Sequence, residues 1–192
     1  MVYTFNMKQL HQTTWPEIFA AWREREAGNP GWIRTATEVK GWPDWESWRQ
    51  FTVSQMQLDQ RAWTMHELTD PMAEIPAMLV GPYSGWQKRF PEPNIGTFAN
   101  LANSPKDAAE FSRNTAIQNL WKGFPSETEL IGLRRPDGRI ALVEGHHRAM
   151  AVALAAHEGR TLTFGKVRIA LADLTAADDG LMDRVLARGT SK

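Results

Sequence analysis

The stretch LIGLRRPDGRIALVEGHHRAMAVALAAHEGR, residues 130–160, limits the folds open to this chain more than any other segment. ELIGLRR and RIALVE are apolar runs of strand length on either side of PDG. Pro136 fixes one dihedral of that turn, while Asp137 and Gly138 tolerate left-handed backbone, so the segment predicts a β-hairpin. HHRAMAVALAAHEG follows at once, rich in strong helix formers and stopped by Gly159. A strand therefore hands over to a helix within a residue or two of Gly145. GKVRIALADL then predicts another strand, with Val167, Ile169 and Leu171 on one face.

Upstream the pattern is helical. In TTWPEIFAAWREREAGNPG, Thr14 is placed to cap, Pro16 suits the first turn and Glu17 the reciprocal capping position. Trp15, Ile18, Phe19 and Trp22 then share a face. GWPDWESWRQF predicts a second helix capped by Asp44, with Trp45 and Trp48 facing the same way as Phe51 or Thr52. From Arg61 the character changes: RAWTMHEL alternates like a strand, and residues 70–96 are dense in Pro and Gly, predicting a long connection with little regular structure. NSPKDAAEFSRNTAIQNLWKGFP predicts one helix with Ser104 as cap and a stripe of Ala109, Ala116, Ile117, Leu120 and Trp121. TAADDGLMDRVLARG predicts a closing helix, weakened by Gly180, before a short polar tail. The order predicts an α+β fold, with a helical Trp-rich extension over residues 1–60 and a mixed strand–helix domain over 61–192.

Nine tryptophans, seven of them from Trp15 to Trp63, favour packing in a core or an interface. Twenty-two basic residues balance twenty-two acidic ones, so no global field draws the chain to nucleic acid or to an acidic membrane. With no cysteine, disulfides, thiolate metal sites and cysteine nucleophiles are excluded. No apolar run approaches the roughly 18 residues of a membrane span. MVYTFNMKQLHQTTW has no basic segment followed by an apolar one, as a secretion signal would, so the expectation is a cytoplasmic protein.

The chemistry concentrates at the strand-to-helix junction. The first N–H groups of a helix lack internal acceptors and carry partial positive charge, so an anion is stabilised there. Gly145 permits close approach of a ligand to the backbone, and Arg148 adds a permanent, bidentate cation suited to phosphate oxygens. His146 and His147 add hydrogen-bond donors. The four together predict a phosphate site, with Glu144 beside it to hold part of a divalent ion bridging nucleotide phosphates. A protein-only metal site is not expected, because adjacent histidines on a helix point about 100° apart and lack the i, i+4 spacing of zinc helices.

VEGHHRAMA resembles the Gly-x-x-Arg-x-x-Ala motif of the ParB/sulfiredoxin superfamily, with Gly145, Arg148 and Ala151 in register. The resemblance covers residues 129–174, weakens back to Trp63 and does not reach residues 1–60. It implies a small mixed sheet with packed helices and a helix start that cradles nucleotide phosphates. Sulfiredoxins carry a catalytic cysteine where His146 stands, so their reductase chemistry is excluded. Partition proteins append a helix-turn-helix domain for which too little chain follows. The wording is closest to the DGHHR of free-serine kinases, with Glu144 in place of the aspartate, and MHELTDP supplies His66 and Glu67 where those kinases have a His-Glu pair. The interval between the two motifs is longer here.

That resemblance implies a phosphotransferase or NTPase using ATP or ADP with Mg2+ on a small hydroxyl-bearing metabolite. Gly145, His146, His147 and Arg148 would hold phosphates, and Glu144 or Glu67 would position the acceptor hydroxyl or the ion. Lys88 and Arg89 would fold over the phosphates from the long connection. The alternative is a non-catalytic nucleotide-binding regulatory module whose Trp-rich portion holds a protein partner or a second copy. A nucleic-acid-processing protein ranks third, since charge is neutral and no reading helix is appended.

Overall fold

The computed structural model describes residues 5–178 and 180–188; the polar tail lies outside them. Among the described residues, five strands, β1 (Met7–Thr13), β2 (Trp63–Leu68), β3 (Glu127–Arg134), β4 (Ile140–Glu144) and β5 (Lys166–Asp173), form one mixed sheet in the order β1-β2-β5-β3-β4. β3 and β5 run parallel, and the other neighbours are antiparallel. Helices α1 (Trp15–Glu26), α2 (Pro30–Arg34) and α3 (Trp45–Met56) lie between β1 and β2. Five shorter ones follow β2: α4 (Pro71–Glu74), α5 (Ser84–Gln87), α6 (Phe98–Asn103), α7 (Pro105–Ser112) and α8 (Thr115–Lys122). α9 (His146–His157) joins β4 to β5, and α10 (Leu181–Arg188) closes the described chain. The fold is α+β.

Strand alternation divides the core in two. Trp63, Met65, Ile131, Leu133, Ala170 and Ala172 face the helices of the Trp-rich segment. Leu68, Leu130, Ile140, Leu142, Ile169 and Leu171 face α9 and, behind it, α6 to α8. α9 is buried almost all round from Ala149 to Ala155, which is why it is built mainly of alanine: bulkier residues could not fit between the sheet and α6 and α8.

Residues 1–60 supply a strand to the sheet as well as helices. Their first element, β1, pairs with β2 along the edge of the sheet, and Trp15 packs on Trp63 at 5.4 Å between ring centroids. β1 reads MKQLHQT, too polar and too irregular to register as a strand; a bulge between Gln9 and His11 breaks its alternation. At the opposite edge, Leu79 bridges to β4, its N–H donating to Ile140 and its carbonyl accepting from Leu142, so the Pro/Gly-rich connection shields the open strand. That connection also forms the short helices α4 and α5.

The expected single helix over residues 105–122 is two. The Asn114 side chain accepts from the N–H groups of Ala116 and Ile117 and starts α8 afresh. The break changes the helical phase: Ile117 is fully buried, but Ala109 and Ala116 are exposed. The caps of α1 and α3 form as read, with Glu17 accepting from the Thr14 N–H at 2.9 Å and Asp44 from the Ser47 N–H at 2.7 Å. In α3 it is Thr52, not Phe51, that joins Trp45 and Trp48 in the core.

The Trp-rich layer is organised around a buried charge. The Arg49 guanidinium carbon lies 4.8 Å from the Trp22 ring centroid, 5.1 Å from Trp32, 5.8 Å from Trp45 and 4.0 Å from Trp48. Its Nη2 donates to Glu26 at 2.6 Å, and the Trp45 indole donates to the same oxygen at 2.9 Å. Cation–π contacts desolvate the guanidinium on favourable surfaces while one carboxylate neutralises it. Arg49→Leu, which strands Glu26, should lower unfolding stability by about 3–5 kcal/mol. Chemical denaturation of Arg49→Leu and of the Glu26→Leu/Arg49→Leu pair checks this; the double variant should regain a substantial part of the loss.

Candidate functional site

β4 ends in a bulge that decides which way its last carboxylate points. Ile131 pairs with Glu144, but the next residue, Gly132, pairs with Leu142, so Val143 and Glu144 together oppose Ile131. Strict alternation would send Glu144 to the α9 side of the sheet. The bulge instead turns it, with Val143, toward the Trp-rich layer, where it is 5% exposed. Arg25, from the last turn of α1, donates through Nη2 to Glu144 at 3.5 Å and through Nη1 to Glu129 at 2.9 Å. Arg148 donates through Nη2 to the other Glu144 oxygen.

Gly145 then turns the chain with φ of +104°, a region disfavoured for L side chains. A Cβ there would lie 2.3 Å from Leu130 Cδ2 and 3.4 Å from Arg148 Nη2. The glycine therefore serves a left-handed turn packed tightly on the core, and this side of it is closed to a ligand by Leu130. The same distance shows that Arg148 curls back over the turn. The first internal bond of α9 runs from the Ala149 N–H to the Gly145 carbonyl, and no side chain caps the amides before it. Uncapped amides and a guanidinium thus converge at the start of a twelve-residue helix.

The two histidines part company. His146 turns inward: its Nε2 donates to the Val80 carbonyl at 2.8 Å, and its ring sits 5.0 Å from Tyr83 and 5.2 Å from Trp86. Tyr83 is held in turn by donating to the Val143 carbonyl at 2.8 Å. As a phosphate ligand His146 can offer only its backbone N–H. His147 is half-buried between Trp32 at 6.1 Å and Trp86 at 6.0 Å, and burial lowers its pKa, so it acts as a neutral group.

The remaining predicted residues are spread out. Glu67 shares the Glu144 face of the sheet but lies on β2, three strand spacings or about 14 Å away. It belongs to a cross-sheet row in which Lys8, Glu67, Arg168 and Glu129 are register partners. Glu67 and Glu144 therefore cannot act on one atom. Arg89 is engaged elsewhere, donating to Asp107 at 2.6 Å and to Glu110 at 2.6 Å while lying over Phe111. Lys88 is exposed. Arg89 is thus committed to the α7 carboxylates.

Sequence reasoning missed Arg25 and Trp32. Both come from the N-terminal helices, far from the motif along the chain, and only tertiary packing brings them to it. The Arg25 Nε is buried without a hydrogen-bond partner among the described residues.

Comparison with protein families, with curated proteins and with solved structures finds no match for this chain.

Two outcomes follow from this geometry. Gly145→Ala combines backbone strain with a clash on fully buried Leu130 and should cost about 2–4 kcal/mol. A double-mutant cycle with Leu130→Ala should show a coupling of opposite sign, as the clash is relieved. His146 gives a pH signature. Burial, aided by the charges of Arg49 and Arg148, lowers its pKa from 6.5 to about 3. The unfolded chain binds the proton that the folded one refuses, so stability should fall as pH drops through 6.5 toward 3, by ~1.4 kcal/mol per unit from this group. Denaturation between about pH 6 and 4 should show a shallower pH slope for His146→Phe than for the parent.

Proposed function

We propose that the protein binds a nucleotide by its phosphates at the start of α9 and transfers the terminal phosphoryl group to a hydroxyl-bearing small metabolite. One observation carries the reading: Arg148, held by Glu144, lies over Gly145 beside the uncapped first amides of α9. Buried Glu144 fixes the guanidinium, while α9 contributes N–H donors and its dipole. Arg25, donating to the other Glu144 oxygen, adds a second guanidinium charge nearby. This is the arrangement that the resemblance to the ParB/sulfiredoxin superfamily implies, and the mixed sheet with helices on both faces is compatible with that fold.

Phosphoryl transfer needs positioning and charge neutralisation more than covalent help. Phosphates lying along the row from Arg148 past Arg25 to Arg168 would end near Glu67. There the acceptor hydroxyl would give its proton to the Glu67 carboxylate as its oxygen bonds phosphorus and the nucleoside diphosphate departs. Glu144 has both oxygens on guanidinium groups, so it fits the role of positioning Arg148 and not that of a metal ligand. Mg2+ carried on the phosphates would supply further charge neutralisation.

A second reading has its own support. Glu144 is clamped and Glu67 is distant, which suits a regulatory module that binds the nucleotide without turning it over.

Titrating ATP, ADP, CTP and GTP with magnesium should change tryptophan fluorescence saturably, since Trp32 and Trp86 flank His147. Arg148→Ala should weaken binding about 100-fold while leaving the chain folded. Unaltered affinity in that variant, or no binding by the parent, would overturn the reading. Turnover is then assayed as nucleoside diphosphate formed with a panel of hydroxyl metabolites. Glu67→Gln should lower kcat with KM for the nucleotide unchanged; binding with no turnover on any acceptor selects the regulatory module.

A further inference from the structure

A cavity lies on the opposite face of the sheet from Glu144, where β3 and β5 end. It measures about 360 Å³, within the size range of small-molecule sites. Open sheets tend to bind ligands beyond the carboxyl ends of their parallel strands, and β3 and β5 are the parallel pair here. Strand parity explains the lining. Thr64 and His66 on β2, Arg134 on β3 and Asp173 on β5 all fall on the α9 side of the sheet, at the end that the apolar core does not reach.

His66 is the unexplained residue. It is 6% exposed, on a strand face that also carries Thr64 and Leu68. Its Nδ1 lies 3.1 Å from the Thr64 carbonyl, and a carbonyl only accepts, so Nδ1 carries the proton. The lone pair is then on Nε2. That atom makes no protein hydrogen bond among the described residues and is not one of the buried unpartnered polar atoms, so it opens onto the cavity. Burial lowers the His66 pKa, which keeps this acceptor neutral.

The charged groups around it are already matched. Arg134 donates to Asp173 through Nε at 2.5 Å and through Nη2 at 3.0 Å. Arg61, with its side chain 9% exposed, donates to Asp178 at 2.9 Å, and Asp178 also accepts from Thr175. An anionic ligand would meet Asp173, and a cationic one would meet Arg134. A neutral hydroxyl both donates and accepts, so one can bridge such a pair while a second donates to His66. Gln12, Gln60 and Thr175 add further uncharged partners.

We propose that this cavity is a binding site for a neutral polyhydroxyl small molecule, with His66 Nε2 accepting from one hydroxyl and the Arg134–Asp173 pair bridging others. The site is separate from the α9 start and does not depend on nucleotide binding there.

The test uses the full chain with 15N-labelled histidine and the probes myo-inositol, D-ribose and D-glucose, set against gluconate and glucosamine. At least one neutral probe should bind saturably and move the His66 Nε2 resonance. His66→Phe should weaken that probe about tenfold, as expected for one hydrogen bond and lost fit. Arg148→Ala should leave it unchanged. Failure of every neutral probe to move His66, or tighter binding of gluconate or glucosamine than of the neutral sugars, would overturn the proposal. If His66→Phe does not fold, the resonance shift in the parent chain still decides.

Discussion

The bulge at the end of β4 and the left-handed turn at Gly145 act as one constraint on which the remaining structure depends. The extra residue sends Glu144 to one face of the sheet, and the positive φ sends α9 to the other. Without the first, the carboxylate would point into the apolar layer under α9, unpaired, which no small domain tolerates cheaply. Without the second, α9 could not start within one residue of the strand. Leu130, fully buried below the turn, leaves no room for a side chain at residue 145. A glycine that looks like ligand chemistry in sequence is thus first a demand of packing. Any phosphate chemistry uses a turn that the fold would need anyway.

The site was legible where its parts are local. Gly145, Arg148 and the start of α9 lie within a few residues of one another, and helix periodicity brings Arg148 back beside Glu144 at i, i+4. In sequence, adjacent histidines at a helix start have no obvious packing use, which points His146 toward phosphate. The pocket that takes its ring is made by Tyr83, Trp86 and Phe98, on a connection that looked irregular. The fold shows the same division. The hairpin, α9 and β5 follow from turn chemistry and alternation. β1 did not, because an edge strand of MKQLHQT draws its pairing from β2 and not from its own apolar pattern. Asn114 carries a helix start that apolar spacing alone conceals.

The charge arrangement is consistent with the neutral composition. Most guanidinium groups on the sheet surfaces meet a carboxylate: Arg25 with Glu129 and Glu144, Arg134 with Asp173, and Arg61 with Asp178. Such pairs add little net stability where water reaches them, but they impose position. Position is what the proposed phosphate recognition would require of Arg148. A free arginine would lose side-chain entropy on meeting a ligand, whereas one already oriented by buried Glu144 loses less.

The last turn of α1 links the Trp-rich layer to the site. Glu26 points into the indole cage and binds Arg49; Arg25, its neighbour, points to the sheet and binds Glu129 and Glu144. Trp32 lies between the indole cage and the α9 start, 5.1 Å from the Arg49 carbon and 6.1 Å from the His147 ring. α1 is set on the sheet by Trp15 against Trp63, and its rotation is fixed by the Glu26–Arg49 pair. Rotating the helix enough to release Arg25 would drag Glu26 out of its cage and leave Arg49 buried and unpaired. That penalty is of the order of a few kcal/mol, larger than the cost of a surface contact, so the second guanidinium at the α9 start inherits its position from the tryptophans. The first sixty residues, which carry no recognisable motif, are on this argument part of the site's framework.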